Sequence, residues 1–229
     1  GLGDYSERCN HTLVVGWQGG RSRRIIHGLL SDRQAGGPRI VLLARGLAAN
    51  PMPDEIDFVT VEQLSDGSSF GRAGAANAQT IVIRGADDDE TLAATLAAHS
   101  AAPRAHIVAH FQEESGAELV RRQLPEVEVI TSIAADLLVR AARDPGASQL
   151  ATLMFANHSI DTAYSMKVPT HASRLDYLDL LVSLKQSHAL TLVGLCRAGA
   201  RSVDLNCPVD CLVSGGDTLF YIADHRVSS

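Results

Sequence analysis

The chain has 229 residues, of which 45% are hydrophobic and 20% charged, a composition typical of globular proteins that bury a core. Its net charge of −6 argues against a nucleic-acid partner, which normally requires a basic face, and against docking on anionic lipid. No apolar run approaches the roughly 18 residues of a membrane-spanning helix.

Short apolar runs alternate with helical patterns through residues 11–133. The runs predict strands at 11–17, 39–45, 56–61, 80–85, 105–111 and 127–132. The segments between them predict helices at 21–32, 68–79 (short, with a turn), 88–100 and 114–123. Strands that alternate with helices indicate βαβ units and a parallel sheet. The predicted fold class is α/β, with a Rossmann-like doubly wound parallel sheet.

The pattern changes after this region. Residues 134–156 predict two helices that are separated at Asp144-Pro145-Gly146, because proline disfavours helix continuation. Shorter strands follow at 163–169, 190–199 and 219–224, with a helix at 175–187. We therefore expect a helical crossover and then a small α+β C-terminal lobe.

The first strand ends in a glycine-rich turn, Gly16-Trp17-Gln18-Gly19-Gly20. A dinucleotide-binding turn has the pattern G-x-G-x-x-G, in which the second glycine lets the backbone approach a pyrophosphate. Gln18 stands at that second position, so the motif is broken. The remaining glycines can present N–H groups to an anion at the start of a helix, or they can simply shape the corner.

Two further strand ends carry candidate ligand-binding residues. The second strand ends at Arg45 instead of the usual ribose-binding carboxylate, and this arginine either meets a phosphate or lies in solvent. After the fourth strand, Gly85 and Asp87 either face the crevice at the strand ends or cap the next helix. The predicted lining of a nucleotide site is therefore Gly16, Gln18, Gly19, Arg45, Gly85 and Asp87.

Other chemistry-bearing residues give weaker signals. The nine histidines are scattered, and Ser22 and Ser132 lack the G-x-S-x-G pattern, so we expect no catalytic residues and no enzyme activity. Cys207 and Cys211 form a C-x₃-C pair, which is weak for zinc and leaves a turn or a reversible disulfide open. No metal site is predicted.

Several of these segments together resemble the RCK domain, also called the KTN or TrkA-type domain, which regulates potassium conductance. The resemblance spans about residues 10–225 and rests on segments in matching order. They are HTLVVGWQ (11–18), VIRGADDDETL (82–92), VITSIAADLLVRAARDPGASQL (129–150) and CPVDCLVSGGDTLFYIAD (207–224), the last with its Gly216-Asp217 turn.

The resemblance implies a domain organisation and a function. Residues 1–10 would be a linker from a pore segment, 11–133 the Rossmann-like N-lobe, 134–158 the crossover and dimerisation helices, and 159–229 the C-terminal lobe. The implied function is a ligand-sensing gating domain of a prokaryotic-type potassium channel, at the cytoplasmic face of the cell membrane. Its implied partners are the pore-forming domain of the same protein and copies of itself, as a dimer and in a tetrameric or octameric ring.

The resemblance also bears on the ligand. It implies an adenine nucleotide (NAD, ATP, ADP or AMP), while the particular ligand stays unknown. Some members bind calcium, but here only Asp144 matches a carboxylate ligand, beside His110 and Gln112, so calcium is not expected. His110 with Asp144 would suit a softer metal, although a lone strand histidine is more often structural.

Two questions stay open in the sequence. The apolar positions of the crossover either pack against the first lobe or form a dimer surface, and the resemblance favours the dimer surface. These positions are Leu137, Leu138, Ala141, Leu150, Leu153 and Met154. The alternative functions are a soluble nucleotide-binding subunit of a Trk/Ktr-type potassium transporter and an NAD(P)-dependent oxidoreductase. The broken glycine turn argues against the oxidoreductase.

Overall fold

The computed structural model describes residues 3–31, 39–156 and 160–227. It divides the chain into two units, of which the first ends at Ala134 and the second begins at Ala135. Because the two units are compact by themselves, each is described separately.

The first unit is built on a parallel sheet of six strands in the order β3-β2-β1-β4-β5-β6. The strands are β1 (Thr12–Val15), β2 (Ile40–Arg45), β3 (Asp57–Val61), β4 (Thr80–Ile83), β5 (His106–His110) and β6 (Glu128–Ile130). The helices are α1 (Gly20–Ser31), α2 (Gly67–Arg72), α3 (Asp88–Ala101) and α4 (Glu114–Gln123), with a 3₁₀ turn at Ala75–Asn77. The predicted Rossmann-like fold class is confirmed.

Alternating side chains of the central strands fill two separate cores. Leu13 and Val15 of β1 belong to one buried cluster, whereas Val14 between them belongs to another. Successive side chains of a strand point to opposite faces, so both faces of the sheet are covered. This explains why the strands read as continuous apolar runs rather than as alternating ones.

In the described residues of the second unit there are three helices, and the strands pair antiparallel. The helices are α5 (Ala134–Arg143), which starts at the unit boundary, α6 (Ala147–Phe155) and α7 (Tyr177–His188). The strands are β7 (Thr162–Lys167), β8 (Leu175–Asp176), β9 (Thr191–Cys196), β10 (Val203–Leu205), β11 (Leu212–Val213) and β12 (Thr218–Ala223). One sheet has the order β10-β9-β12-β7, and β11 pairs with β8.

The predicted break at Asp144-Pro145-Gly146 separates α5 from α6, and Gly146 adopts a φ of 95° at the start of α6. The sequence patterns do not predict β8, β10 or β11. These strands are two or three residues long, and all of β10 is exposed. Such short segments lack the alternation of buried and exposed residues by which a strand is recognised.

The Gly216-Asp217 turn is held by a buried carboxylate. Asp217 is 2% exposed, and its oxygens accept the backbone N–H groups of Ser214 at 2.8 Å and Ala198 at 2.9 Å. Burial alone raises the pKa of Asp217, but these hydrogen bonds and the nearby Arg197 together lower it below its usual value. The motif is therefore a structural element that joins the start of β12 to the loop after β9.

His11 is the buried histidine at the start of β1. It is 1% exposed, its Nε2 lies 2.9 Å from the carbonyl oxygen of Ala73, and its Nδ1 has no hydrogen-bond partner among the described residues. Burial lowers the pKa of His11; the Ala73 carbonyl and Asp57 oppose this effect, and Arg8 adds to it. Folding therefore disfavours the protonated form of this ring.

We predict that this burial makes the first unit less stable in acid. Below about pH 6.5, the ordinary histidine value, the unfolded chain takes up a proton that the folded chain resists. The free energy of unfolding then decreases as the pH is lowered. Its slope approaches about 1.4 kcal/mol per pH unit between the pKa of His11 in the unfolded chain and its lower pKa in the folded chain. Urea unfolding between pH 7.5 and 5 measures it. His11→Gln should flatten the slope, and an unchanged slope in this variant would contradict the assignment.

Gly16 lies where β1 passes close to the end of β4. Its φ is 98°, and a Cβ atom there would lie 1.9 Å from the carbonyl oxygen of Arg84. Gly19 has a φ of 62°, and a Cβ atom there would meet no atom within 4 Å. The two glycines therefore differ in steric surroundings although both have positive φ.

We predict that Gly16→Ala destabilises the chain much more than Gly19→Ala. Gly19→Ala should cost about 1–2 kcal/mol, the price of a left-handed residue with a side chain. Gly16→Ala adds a clash with backbone that cannot rotate away, so we expect the larger loss or a failure to fold. Urea unfolding of both variants measures the difference. Equal effects would show that the passage past Arg84 does not constrain position 16.

Candidate functional site

The candidate site lies at the carboxyl ends of the parallel strands. The sheet order places β1 between β2 and β4, so the chain turns to one side of the sheet after β1 and to the other side after β4. Ligands of open α/β sheets bind in the crevice at such a reversal. The loops that follow β1, β2, β4 and β5 supply the side chains considered below.

The glycine turn is partly closed by its own hydrogen bonds. The N–H of Gly16 donates to the carbonyl of Leu43 at 2.9 Å, and the N–H of Gln18 donates to the hydroxyl of buried Ser22 at 2.6 Å. A phosphate that accepts the N–H of Gln18 would have to replace the hydroxyl of Ser22 in this hydrogen bond. The first helical hydrogen bond of α1 runs from the N–H of Arg23 to the carbonyl of Gly19 at 3.1 Å. The N–H groups of Gly20, Arg21 and Ser22 precede it and have no helical carbonyl to bond, so they remain suited to an anion.

Arg45 at the end of β2 forms an ion pair with Glu90 of α3. The side chain of Arg45 is half exposed, whereas that of Glu90 is only 17% exposed. The second oxygen of Glu90 accepts the backbone N–H of Ala86 at 2.6 Å. The charge of Arg45 is therefore offset within the chain, by a residue that is distant in sequence.

Gly85 and Asp87 shape the start of α3. The N–H of Gly85 donates to the hydroxyl of Thr91 at 2.9 Å, and a Cβ atom on Gly85 would lie 2.8 Å from the backbone nitrogen of Thr91. Asp87 caps α3, because its carboxylate accepts the N–H of Glu90 at 2.8 Å. Of the two roles that the sequence allowed for Asp87, the helix cap is present, and the carboxylate of Asp87 is engaged in it.

The imidazole of His110 lies at the end of β5, where charges of both signs act on it. Burial, together with the charges of Arg84 and Arg21, lowers the pKa of His110, while Asp88 opposes them. Asp88 is itself engaged, since its two oxygens accept the N–H groups of Gln112 at 2.8 Å and Glu113 at 2.9 Å. Arg84 and Arg21 thus lie near one partly buried imidazole at the crevice.

The sequence patterns did not assign Arg84 to the site, and they suggested either a metal ligand or a structural residue for His110. Both residues stand at strand ends, Arg84 directly before Gly85 and His110 as the last residue of β5. Their position after buried strands is a signal that was available in the sequence. Their nearness to Arg21 of α1 was not available, because it depends on the order of the strands in the sheet.

The structure also has a cavity of about 610 Å³ at the end of the edge strand β3. Its lining includes Asp66 and Arg72. Asp66 accepts the hydroxyl of Ser69 at 2.6 Å, and Arg72 donates to the carbonyl of Thr60 at 3.2 Å. The cavity is thus lined by polar groups that bond to each other, and it does not belong to the crevice between β1 and β4.

Within residues 3–31, 39–156 and 160–227, no three or more His, Cys, Asp and Glu side chains are grouped so that they could hold a metal ion. In the same part of the chain, no helix has both the length and the apolar character needed to cross a membrane.

Comparison with known proteins gives matches only in structure. No family model matches the chain, and no curated protein sequence matches it. The human SLO3 gating ring matches over 93% of this chain and 44% of its own, with 12% identity and a TM-score of 0.67. The GsuK RCK domain covers the same shares with 17% identity and a TM-score of 0.44.

A further match is the GsuK channel bound to NAD, which covers 93% of this chain and 36% of its own, with 15% identity and a TM-score of 0.44. The chain thus spans less than half the length of these solved chains. The likeness to the gating ring agrees with the order of strands and with the sequence motifs. The chain has the fold of an RCK domain.

Proposed function

We propose that the chain is the ligand-sensing regulatory domain of a potassium channel, in which a bound ligand controls the opening of a pore. The observation that carries this proposal is the likeness of 93% of the chain to the human SLO3 gating ring. The domain organisation suggested by the sequence motifs belongs to the same proposal, with an N-lobe at 11–133, a crossover at 134–158 and a C-terminal lobe at 159–229. The site of action would be the cytoplasmic face of the cell membrane.

The proposed role is regulatory rather than catalytic. Carboxylates at the crevice are engaged by the protein itself, Glu90 with Arg45 and Ala86, and Asp88 with Gln112 and Glu113. A general base needs a carboxylate or imidazole aimed at a bound substrate. The carboxylates of Glu90 and Asp88 instead hold backbone N–H groups and an arginine in place, which stabilises the loops at the crevice.

The proposed ligand is an adenine nucleotide, bound through its phosphates. The solved neighbours include GsuK bound to NAD and GsuK bound to ADP. In this chain Gly16, Gln18, Gly19, Arg45, Gly85 and Asp87 would line the crevice. Arg21 and Arg84, whose charges both act on the imidazole of His110, would supply the positive charge for the phosphates. The first amides of α1 would add hydrogen bonds to the same anion.

We predict that an adenine nucleotide raises the unfolding midpoint of the chain. A ligand at about 100 times its dissociation constant adds about 2.7 kcal/mol of stability, and each kcal/mol raises the midpoint of a domain of this size by about 2–4 °C. A thermal panel of NAD⁺, NADH, ATP, ADP and AMP measures it. Arg84→Gln and Arg21→Gln should reduce the shift, because each removes a charge from the phosphate position.

The matched control for this panel is Arg104→Gln. Arg104 is exposed in the loop before β5, at the amino ends of the parallel strands, whereas the crevice lies at their carboxyl ends. Its loss should therefore leave the shift unchanged. Arg45→Ala tests the remaining arginine of the site. If no nucleotide moves the midpoint of the unmodified chain, the proposed ligand class is wrong.

The proposal includes a homodimer formed through α5 and α6, as the unit of a larger ring. Neither helix has a buried residue. Large apolar side chains on them are open to solvent, among them Leu138 at 74%, Leu150 at 59% and Leu153 at 55% exposure. An apolar surface of this kind is costly in water and is typical of a protein interface. A second copy would cover it with the same surface, as two-fold dimers do.

We predict that Leu138→Asp and Leu153→Asp convert a dimer into a monomer. A charge placed in the apolar centre of an interface must be desolvated without a partner, which costs several kcal/mol of association. Sedimentation equilibrium measures the mass. Leu178→Asp is the control, because Leu178 is a 44% exposed leucine on α7 of the same unit. A dimer that survives both α5 and α6 variants would place the interface elsewhere.

A further inference from the structure

Two cysteines of the second unit flank one tight turn. Cys207 follows β10 and Cys211 precedes β11. The N–H of Cys211 donates to the carbonyl of Pro208 at 3.0 Å, which closes the turn between the two thiols. Such a turn brings the residues on either side of it close together. Both cysteines are free thiols in the structure.

The two sulfurs share one apolar cluster. Cys211 is buried within it and Cys207 packs against it while staying partly exposed. Burial raises the pKa of Cys207, and the charge of Cys211 and a hydrogen bond with it raise the pKa further. The same cluster contains Tyr177, whose pKa is raised to about 12 by burial and then by Cys207 and Cys211. Each sulfur is therefore part of the other's immediate surroundings.

Protein groups fix the position of each sulfur. The thiol of Cys207 donates to the carbonyl of Asp204 at 3.4 Å. The Nη2 atom of Arg197 lies 3.4 Å from the Sγ of Cys211, and the same guanidinium reaches the carboxylate of Asp217 at 3.3 Å. The pair is thus held by the loops on both sides of the turn.

We propose that Cys207 and Cys211 form a reversible disulfide when the chain meets a hydroperoxide, so that the turn between β10 and β11 is a thiol–disulfide switch. The proposal rests on the shared turn and the shared cluster of the two sulfurs. It is independent of the nucleotide site, which belongs to the first unit.

The reaction is a two-electron oxidation that balances with a single hydroperoxide. The sulfur of one cysteine attacks a peroxide oxygen, the O–O bond breaks, and a sulfenic acid and water (or an alcohol) result. The sulfur of the other cysteine then attacks the sulfenic sulfur, the S–S bond forms and water leaves. The two sulfurs lose two electrons to the peroxide, and their two protons end in the released water or alcohol.

The disulfide would fix a segment on which neighbouring elements depend. The carbonyl of Cys211 accepts the N–H of Tyr177 at 2.9 Å, at the start of α7. The next residues, Leu212 and Val213, pair with β8. A covalent bond across the turn would therefore restrict the joint between β11, β8 and α7.

The test is a peptide map of the whole chain with and without hydrogen peroxide. Thiols are alkylated without reduction, and the chain is then digested with trypsin. Residues 202–226 form one tryptic peptide that contains Cys207 and Cys211, whereas Cys9 and Cys196 fall in other peptides. We expect the oxidised peptide to lose the mass of two hydrogens and to carry no alkyl group. Dithiothreitol should restore two alkylation sites.

Variants separate the pair from the other thiols. The double variant Cys9→Ser/Cys196→Ser should still form the disulfide, whereas Cys207→Ser should prevent it without emptying a buried position. Exposed Cys9 reports that the oxidant was active. The proposal is overturned if the peptide gains oxygen on separate sulfurs, if either sulfur pairs with Cys9 or Cys196, or if both stay open to alkylation after Cys9 is oxidised.

Discussion

The parallel pairing of β1 with both β2 and β4 is the constraint on which the candidate site depends. The ladder continues past the strand ends, since Gly16 bonds to Leu43 and Arg84 bonds to Val15. These bonds bring the backbone of position 16 so close to Arg84 that only glycine fits there. Gly16 is therefore required by the sheet itself, independently of any ligand at this turn.

Under the proposed function, the local charges around the crevice would let an acidic chain bind an anion. The net charge of −6 describes the whole chain, but a ligand meets the local field of the groups beside it. Glu90 and Asp88 follow β4 in the chain, and their carboxylates are held by arginine or by backbone N–H groups. Burial first, and then the charges of Arg84 and Arg21, lower the pKa of His110 against the charge of Asp88, so both arginines act at the end of β5.

The sequence predicted what depends on local pattern. The six strands of the first unit, their helices and the break at Pro145 follow from apolar periodicity and proline chemistry. The sequence did not predict the strands β8, β10 and β11, because they are only two or three residues long and are recognised by their pairing with neighbouring strands. The ion pair of Arg45 with Glu90 and the nearness of Arg21 to His110 join distant segments, so only the strand order reveals them. Gly85 and Asp87 were predicted at the right strand end, while their bonds to Thr91 and Glu90 had to be seen.

A ligand regulates a protein only if it binds one conformation better than another. The bond between Arg45 and Glu90 gives the crevice such a dependence under the proposed function. A phosphate that draws Arg45 towards the crevice would separate it from Glu90, which would keep only the N–H of Ala86. Glu90 belongs to the first turn of α3, and Asp87 beside it caps that helix. Binding would therefore change the hydrogen bonds at the start of α3, because Glu90 both pairs with Arg45 and lies in the first turn of that helix.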